Sequence, residues 1–142
     1  MKNCLFCDKR ILEKEGVLKN KTCIFLTSEG YNPKGVLEGA GVIIPFDHKA
    51  TPFDLSDEEI KDIFILLKEV KKYIDDKYKP DGYSIGWNIG KVSGQIEPFH
   101  VHLHIMPRYN DEPLAGKGIR YFLKQNENRR KNSIKLNNNE GV

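Results

Sequence analysis

The sequence has no long hydrophobic run, only three cysteines and no strong excess of charge of either sign. No segment approaches the roughly 18 apolar residues of a membrane-spanning helix, and residues 1–10 contain no apolar stretch like that of a secretory signal. We therefore expect a cytoplasmic protein with no membrane partner. The three cysteines, an odd number, argue against a disulfide framework and fit a reducing compartment.

The charge balance also narrows the choice of partner. The chain has 23 basic and 20 acidic residues, a net charge of +3. This excess is compatible with anionic small molecules but too weak to indicate nucleic acid as the main partner. With 142 residues the chain is long enough for one domain with its own core. We assign residues 1–124 to that domain and expect the basic, Asn-rich residues 125–142 to be largely disordered.

Three of the four histidines recur at every second position: His100, His102 and His104. Apolar residues alternate with them, which is typical of a half-buried β-strand with its imidazoles on one face. At about 3.3 Å per residue, the outer two Cα atoms lie about 13 Å apart, which disfavours one shared metal ion. Such a row suits an extended, charged substrate that one imidazole attacks while its neighbours position it. A metalloenzyme with its catalytic metal on this strand is a competing interpretation.

The segment His100-Val-His-Leu-His-Ile-Met106 resembles the His-φ-His-φ-His-φ-φ signature, with φ apolar, of the histidine triad (HIT) family. The resemblance implies an α+β fold, an antiparallel sheet with packed helices, and a homodimer. It also implies a hydrolase or transferase that cleaves purine nucleotide conjugates at the α-phosphate, such as dinucleoside polyphosphates or nucleoside phosphoramidates. By this resemblance His102 forms a covalent nucleotidyl-histidine, while His100 and His104 orient it and offset charge. No catalytic cofactor is expected, and a non-catalytic nucleotide-binding or scaffolding protein is the alternative.

A Cys-x-x-Cys pair, Cys4 and Cys7, supplies half of a tetrahedral zinc site. From the residues alone, the remaining ligands come from Cys23 or the histidines. Cys23 lies in an apolar segment and fits a buried thiol better. The resemblance to bacterial HIT proteins implies a structural zinc held by Cys4, Cys7, His48 and His100. The alternative is a pair of ordinary reduced cysteines.

The resemblance also implies residues that contact the sugar and phosphate of the nucleotide: Asn88, Gly94, Gln95 and Asn32. If the loop that contains Asn32 carries an insertion relative to the family, the contact with the sugar would fall to Ser28 instead of Asn32. Two departures from the family pattern stand out. Ala40 replaces a common histidine, and the loop before His100 is one residue longer, so that Ile96 or Glu97 takes the place of a common Ser or Thr.

Local patterns predict the remaining elements. Ser56-Asp-Glu-Glu59 is a capping box, and the helical spacing that follows predicts a helix over residues 57–77. Strands are predicted over 22–27, 39–45 and 81–90, with a short helix over 8–15. Arg108 is interpreted as either a phosphate ligand or a structural arginine, and Lys117 or Arg120 as an anion contact.

Overall fold

The computed structural model describes residues 3–27 and 35–132 of the chain. Five strands form one antiparallel sheet in the spatial order β1-β2-β3-β5-β4. The strands are β1 (Gly16–Lys19), β2 (Cys23–Thr27), β3 (Gly41–Pro45), β4 (Gly82–Trp87) and β5 (Leu103–Arg108). The helices are α1 (Lys9–Glu15), α2 (Asp57–Tyr78) and α3 (Tyr121–Lys124). This arrangement confirms the predicted α+β fold.

Helix α2 forms where the sequence predicts it and covers one face of the sheet. The Ser56 hydroxyl accepts from the Glu59 backbone N–H, and the Glu59 carboxylate accepts from the Ser56 N–H, which completes the capping box. The helix ends at Tyr78, and Lys79 adopts a left-handed conformation as its C-cap. Its apolar stripe packs against alternate residues of the central strands. The buried core on this face consists of Cys23, Phe25, Ile43, Ile63, Leu66, Val70, Ile74, Leu103 and Ile105.

The opposite face of the sheet has a thinner cover. Its buried cluster is made of Ile24, Leu26, Val42 and Ile44, against which Phe6 and Leu12 of the N-terminal segment pack. Gly41 lies at a close approach between strands, since a Cβ atom there would meet the Leu26 carbonyl oxygen at 2.3 Å. Because Val42 pairs directly with His104, this thinly covered face is the one that carries the histidine.

Strand β5 is shorter than predicted. The alternation was expected to place all three histidines on one strand, but the ladder begins at Leu103, so His100 and His102 precede it. The reason is a bond to a distant loop, because the Val101 N–H donates to the Lys49 carbonyl at 2.7 Å. Alternate burial nevertheless extends through this segment, with Val101, Leu103 and Ile105 buried.

The other predicted elements are confirmed with small changes of boundary. Asp8 is the N-cap of α1 rather than its first residue, and the strand predicted over 81–90 covers Gly82–Trp87. Strand β1 was not predicted. It pairs with β2 at the sheet edge through an irregular register. Within the described residues, no helix has the length and apolar character needed to cross a membrane.

Candidate active site and adjacent metal-ligand cluster

The three triad histidines line one cavity of about 440 Å³. Strands β3 and β5 and the ends of three loops form its walls. Most of the walls are apolar, and the polar groups are concentrated around the histidine row. Its lining residues include Leu5, Phe6, Ala40, Val42, Asn88, Gly94, Ile96, Glu97, Pro98, His100, His102, His104 and Met106. A cavity with apolar walls and a few converging polar groups is the usual form of a small-molecule site.

His102 is held in one orientation by the backbone. Its Nδ1 lies 2.9 Å from the His100 carbonyl oxygen, and since a carbonyl only accepts, Nδ1 carries the ring proton. The unprotonated Nε2 is therefore the atom available for reaction. The His102 ring contacts those of Phe6 and His104, with centroid distances of 5.2 and 4.7 Å. Burial lowers the pKa of His102, although the hydrogen bond to His100 partly opposes this effect.

His104 lies on β5, between its β3 partner Val42 and its β4 partner Gly86. Burial, with a smaller contribution from His102, lowers its pKa to about 4, so the ring is neutral at pH 7. The side-chain amide nitrogen of Asn88 lies 3.4 Å from His104 Nε2. Asn88 therefore lies beside the triad, and its predicted contact with the nucleotide stays a prediction.

His100 faces away from the other two histidines and towards the cysteines. Its Nε2 donates to the Pro45 carbonyl at 2.9 Å, which leaves the Nδ1 lone pair free to act as a ligand. Nδ1 lies 3.5 Å from the Cys4 Sγ and 3.6 Å from the Cys7 Sγ. The His48 Nδ1 lies 3.3 Å from the Cys7 Sγ. Ligand atoms of these four residues all lie within 4.8 Å of one another.

The spacing of these atoms fits a tetrahedral metal site. With Zn–S near 2.3 Å and Zn–N near 2.0–2.1 Å, tetrahedral geometry separates sulfur and nitrogen ligands by about 3.6 Å. The three observed sulfur-to-nitrogen distances, 3.3 to 3.6 Å, are close to that value. Burial raises the pKa of the Cys4 thiol, so a buried thiolate requires a positive partner. The third cysteine, Cys23, is fully buried in the core away from this cluster, as predicted.

Two glycines and the buried side chain of Gln95 shape the turn before the triad. Gly90 and Gly94 have positive φ angles of 81° and 101°, which favour glycine. Gly94 lines the cavity. Gln95 is buried, and its amide is engaged at both ends. It accepts from the Gly90 N–H at 2.9 Å and donates to the Ala50 carbonyl at 2.7 Å.

The other predicted anion contacts lie elsewhere. The Arg108 guanidinium pairs with Glu112 and donates to the Ser84 hydroxyl and the Lys117 and Leu114 carbonyls. These bonds fit its structural interpretation. The Lys117 Nζ lies over the Tyr121 ring, 5.7 Å from its centroid. Arg120 is exposed and precedes α3. Asn32 and Ser28 lie outside the described residues.

Sequence reasoning did not find the apolar wall of the cavity. Phe6 lies between the two cysteines and reaches the rings of both His100 and His102, with centroid distances of 5.6 and 5.2 Å. Its position inside the Cys-x-x-Cys segment was the available signal. Val42 and Met106 come from neighbouring strands, and their place in the wall depends on strand pairing that local patterns do not specify.

These features define a histidine-lined cavity on an antiparallel sheet, and the comparisons identify the class of protein. The family model described as the HIT domain matches residues 18–111, and the chain belongs to the HIT family. The Bacillus subtilis "Protein hit" is 30% identical over 115 residues, covering 75% of this chain and 72% of that protein. A crystal structure of a HIT family protein from Bacillus anthracis has a TM-score of 0.66 and 28% identity, with 78% of this chain and 76% of that chain covered.

Some relatives have named activities. The adenosine 5'-monophosphoramidase hnt1 of Schizosaccharomyces pombe is 38% identical over 81 residues, and the match spans 57% of each chain. The asymmetrical bis(5'-nucleosyl)-tetraphosphatase of the same organism is 31% identical over 104 residues, 72% of this chain and 56% of that protein. Similarity to HIT proteins therefore extends to enzymes that act on nucleotide conjugates.

Proposed function

We propose that the protein is a nucleotide hydrolase or transferase that cleaves purine nucleotide conjugates at the α-phosphate. Dinucleoside polyphosphates and nucleoside phosphoramidates are the substrate classes that the named relatives suggest. The observation that carries the proposal is the orientation of His102, whose backbone bond leaves Nε2 unprotonated in the cavity. A neutral imidazole attacks phosphorus without the charge repulsion that hydroxide meets.

The chemistry takes place in two displacements. In the first, the His102 Nε2 lone pair forms a bond to the α-phosphorus while the bond from phosphorus to the leaving group breaks. The leaving group departs with that electron pair and, where it is an amine, takes a proton from water. In the second, water or another acceptor attacks phosphorus, the bond to Nε2 breaks, and its electron pair returns to the ring; an attacking water gives up a proton to solvent. The nucleoside monophosphate is released when water is the acceptor.

The neighbouring residues act by position and polarity. His104 and the amide of Asn88 lie beside His102, and the backbone at Gly94 faces the cavity. We assign Asn88 and Gly94 to the sugar and phosphate of the substrate, where an amide donor and an open backbone add no repulsive charge. The roles of Gln95 and Asn32 in substrate binding stay predictions.

We also infer that Cys4, Cys7, His48 and His100 hold a structural zinc ion. Two sulfur and two nitrogen ligands, their spacing and the Pro45 bond that orients His100 support this assignment. A bound zinc would supply a cross-link between the N-terminal segment and the histidine loop. His100, held in this way, anchors the triad segment and takes no part in proton transfer.

Metal analysis tests this assignment directly. The Cys4→Ser variant is expected to lose most of its zinc, whereas Cys23→Ala, which changes the third cysteine, is expected to keep it. Because binding energy in such sites stabilises the fold, chelation should also lower the melting temperature of the wild type and not that of Cys4→Ser. Unchanged zinc content in Cys4→Ser would count against the four-residue site.

We expect a homodimer, as the resemblance to the family implies. Strand β4 is at the edge of the sheet and has one side free of strand partners among the described residues. The oligomeric state is measured by light scattering of the purified protein.

The covalent step is tested by intact mass. Wild-type protein is incubated with an adenylylated substrate and quenched without acid, because a phosphorus–imidazole bond is acid-labile. The expected product is an adenylyl adduct that is absent from His102→Ala and present in Lys68→Ala, a control on the exposed side of α2. Tight nucleotide binding with neither adduct nor turnover would instead favour the non-catalytic, scaffolding alternative.

A further inference from the structure

The cavity has an unusual charge for a site that holds a phosphate. Among its described lining residues there is no lysine or arginine, and Glu97 is the one acidic side chain. His104, with its pKa lowered to about 4, adds no positive charge. The fixed charge among the described lining side chains is therefore that of a carboxylate.

No lysine or arginine among the described residues forms an ion pair with Glu97. Arg108 is paired with Glu112, and Lys49 with Glu59. An uncompensated carboxylate beside a phosphate site weakens binding of polyanions.

The position of Glu97 is fixed by its neighbours along the chain. Two residues before it, Gln95 bonds to the Gly90 N–H and the Ala50 carbonyl and so holds the turn. Three residues after it, His100 is anchored by the Pro45 carbonyl. Glu97 lies between these two fixed points, is exposed, and still lines the cavity. Its side chain is therefore at the mouth.

The leaving group has to depart through the opening of the cavity. An in-line displacement at phosphorus places the leaving group opposite the attacking nitrogen. The His102 ring is partly buried and contacts Phe6, and Glu97 lines the same cavity from an exposed position. A leaving group that departs from this cavity towards solvent meets the one carboxylate among the described lining residues.

We propose that Glu97 is a specificity-determining residue that selects nucleotide conjugates whose leaving group carries a positive charge. This inference rests on the proposed function and deepens it. The favoured substrates are nucleoside phosphoramidates of amines that carry a second, protonated amino group. Conjugates with a polyanionic leaving group, such as polyphosphates, are disfavoured.

Charge, not shape, produces this preference, and its size follows from Coulomb's law. Two unit charges about 4 Å apart in water interact by about 1 kcal/mol, which corresponds to about fivefold in kcat/KM for each unit of charge. Because Glu97 is exposed, salt near 1 M, where the screening length is about 3 Å, should remove most of the effect.

Three adenosine 5'-phosphoramidates of nearly equal length test the proposal. Their leaving amines are ethylenediamine, propylamine and β-alanine, whose far ends are cationic, neutral and anionic. Wild-type kcat/KM should fall by about fivefold at each step along this series in low salt. Glu97→Gln should give nearly equal values, and Glu97→Lys should reverse the order. Glu69→Gln, which removes an exposed carboxylate from α2, should retain the wild-type order.

Binding measurements separate this inference from the proposed function. The same three compounds are titrated into His102→Ala with and without Glu97→Gln. A preference for the cationic compound that depends on Glu97 supports the selectivity even if the wild type proves inactive, and such inactivity would refute the hydrolase. Equal affinities and equal kcat/KM values across the series, or a preference that survives Glu97→Gln, would overturn the role of Glu97.

Discussion

Replacing Gln95 by alanine distinguishes a residue that holds a turn from one that contacts substrate. The substitution removes two hydrogen bonds, to the Gly90 N–H at 2.9 Å and to the Ala50 carbonyl at 2.7 Å, from a side chain that is 3% exposed. Each is worth about 1 kcal/mol net, and the backbone groups left without partners add to the loss. We expect the free energy of unfolding to fall by about 2 to 3 kcal/mol.

Urea denaturation followed by circular dichroism measures this loss. With an m-value near 2 kcal/mol per molar, the midpoint should move down by about 1 M. The matched control is Gln125→Ala, whose amide donates to the Tyr121 carbonyl at 3.2 Å on an exposed helix end. The control should change stability by less than about 0.5 kcal/mol.

The opposite result has a definite meaning. If Gln95→Ala unfolds at the wild-type urea concentration but binds nucleotide more weakly, Gln95 is a substrate ligand and its bonds to Gly90 and Ala50 contribute little. Gln95→Glu sharpens the comparison. It keeps an acceptor for the Gly90 N–H but loses the donor for Ala50, so it should also destabilise the protein.

Three further substitutions test the packing and titration described above. Gly41→Ala places a Cβ atom 2.3 Å from the Leu26 carbonyl oxygen and should lower the free energy of unfolding, measured in urea, by about 2 to 3 kcal/mol. Gly82→Ala adds its methyl group to open space and should leave the free energy of unfolding nearly unchanged. Since the pKa of His104 is lowered to about 4, the unfolded chain takes up its proton first as pH falls below about 6.5. The neutral, partly buried His104 therefore contributes to the stability of the folded protein above about pH 6.5. This contribution is lost, by up to about 3 kcal/mol, as the pH falls towards 4. The free energy of unfolding of His104→Gln should depend less on pH over that interval than that of the wild type. Ser56→Ala should cost about 1 kcal/mol, measured by thermal unfolding.

Each of these results has an outcome that would contradict its reasoning. Equal effects of Gly41→Ala and Gly82→Ala would show that the strand can relax around an added methyl group. An unchanged pH profile in His104→Gln would show that other groups account for acid sensitivity. Wild-type stability in Ser56→Ala would show that the cap of α2 is replaced by solvent.

Features with a local cause could be predicted from the sequence. Helix α2 has its cap, apolar stripe and terminator within one stretch, and its observed end lies within one residue of the prediction. The cysteine and histidine cluster and the triad also follow from short motifs and a family resemblance. The fold class was correct because the family resemblance implied it, and the predicted strands and long amphipathic helix are consistent with it.

Features that depend on distant partners could not be predicted in the same way. Strand β5 begins late because Val101 bonds to Lys49, more than fifty residues earlier. The bonds of Gln95 to Ala50 likewise cross from one loop to another. Strand β1 has four residues, directly after a helix, and too short a pattern to be recognised. Arg108 had two interpretations in the sequence, and only the fold brings Glu112 and Ser84 to it.

The short segment around Phe6 has a practical consequence for experiments on this protein. Asn3, Cys4, Leu5 and Phe6 all line the cavity, and Phe6 contacts the His102 ring. A purification tag joined to the chain ahead of Asn3 is therefore attached close to the cavity wall, and a polyhistidine tag would bring extra metal-binding groups to a protein that has its own cysteine and histidine cluster. Kinetic and metal measurements are best made on protein from which any such leader has been cleaved.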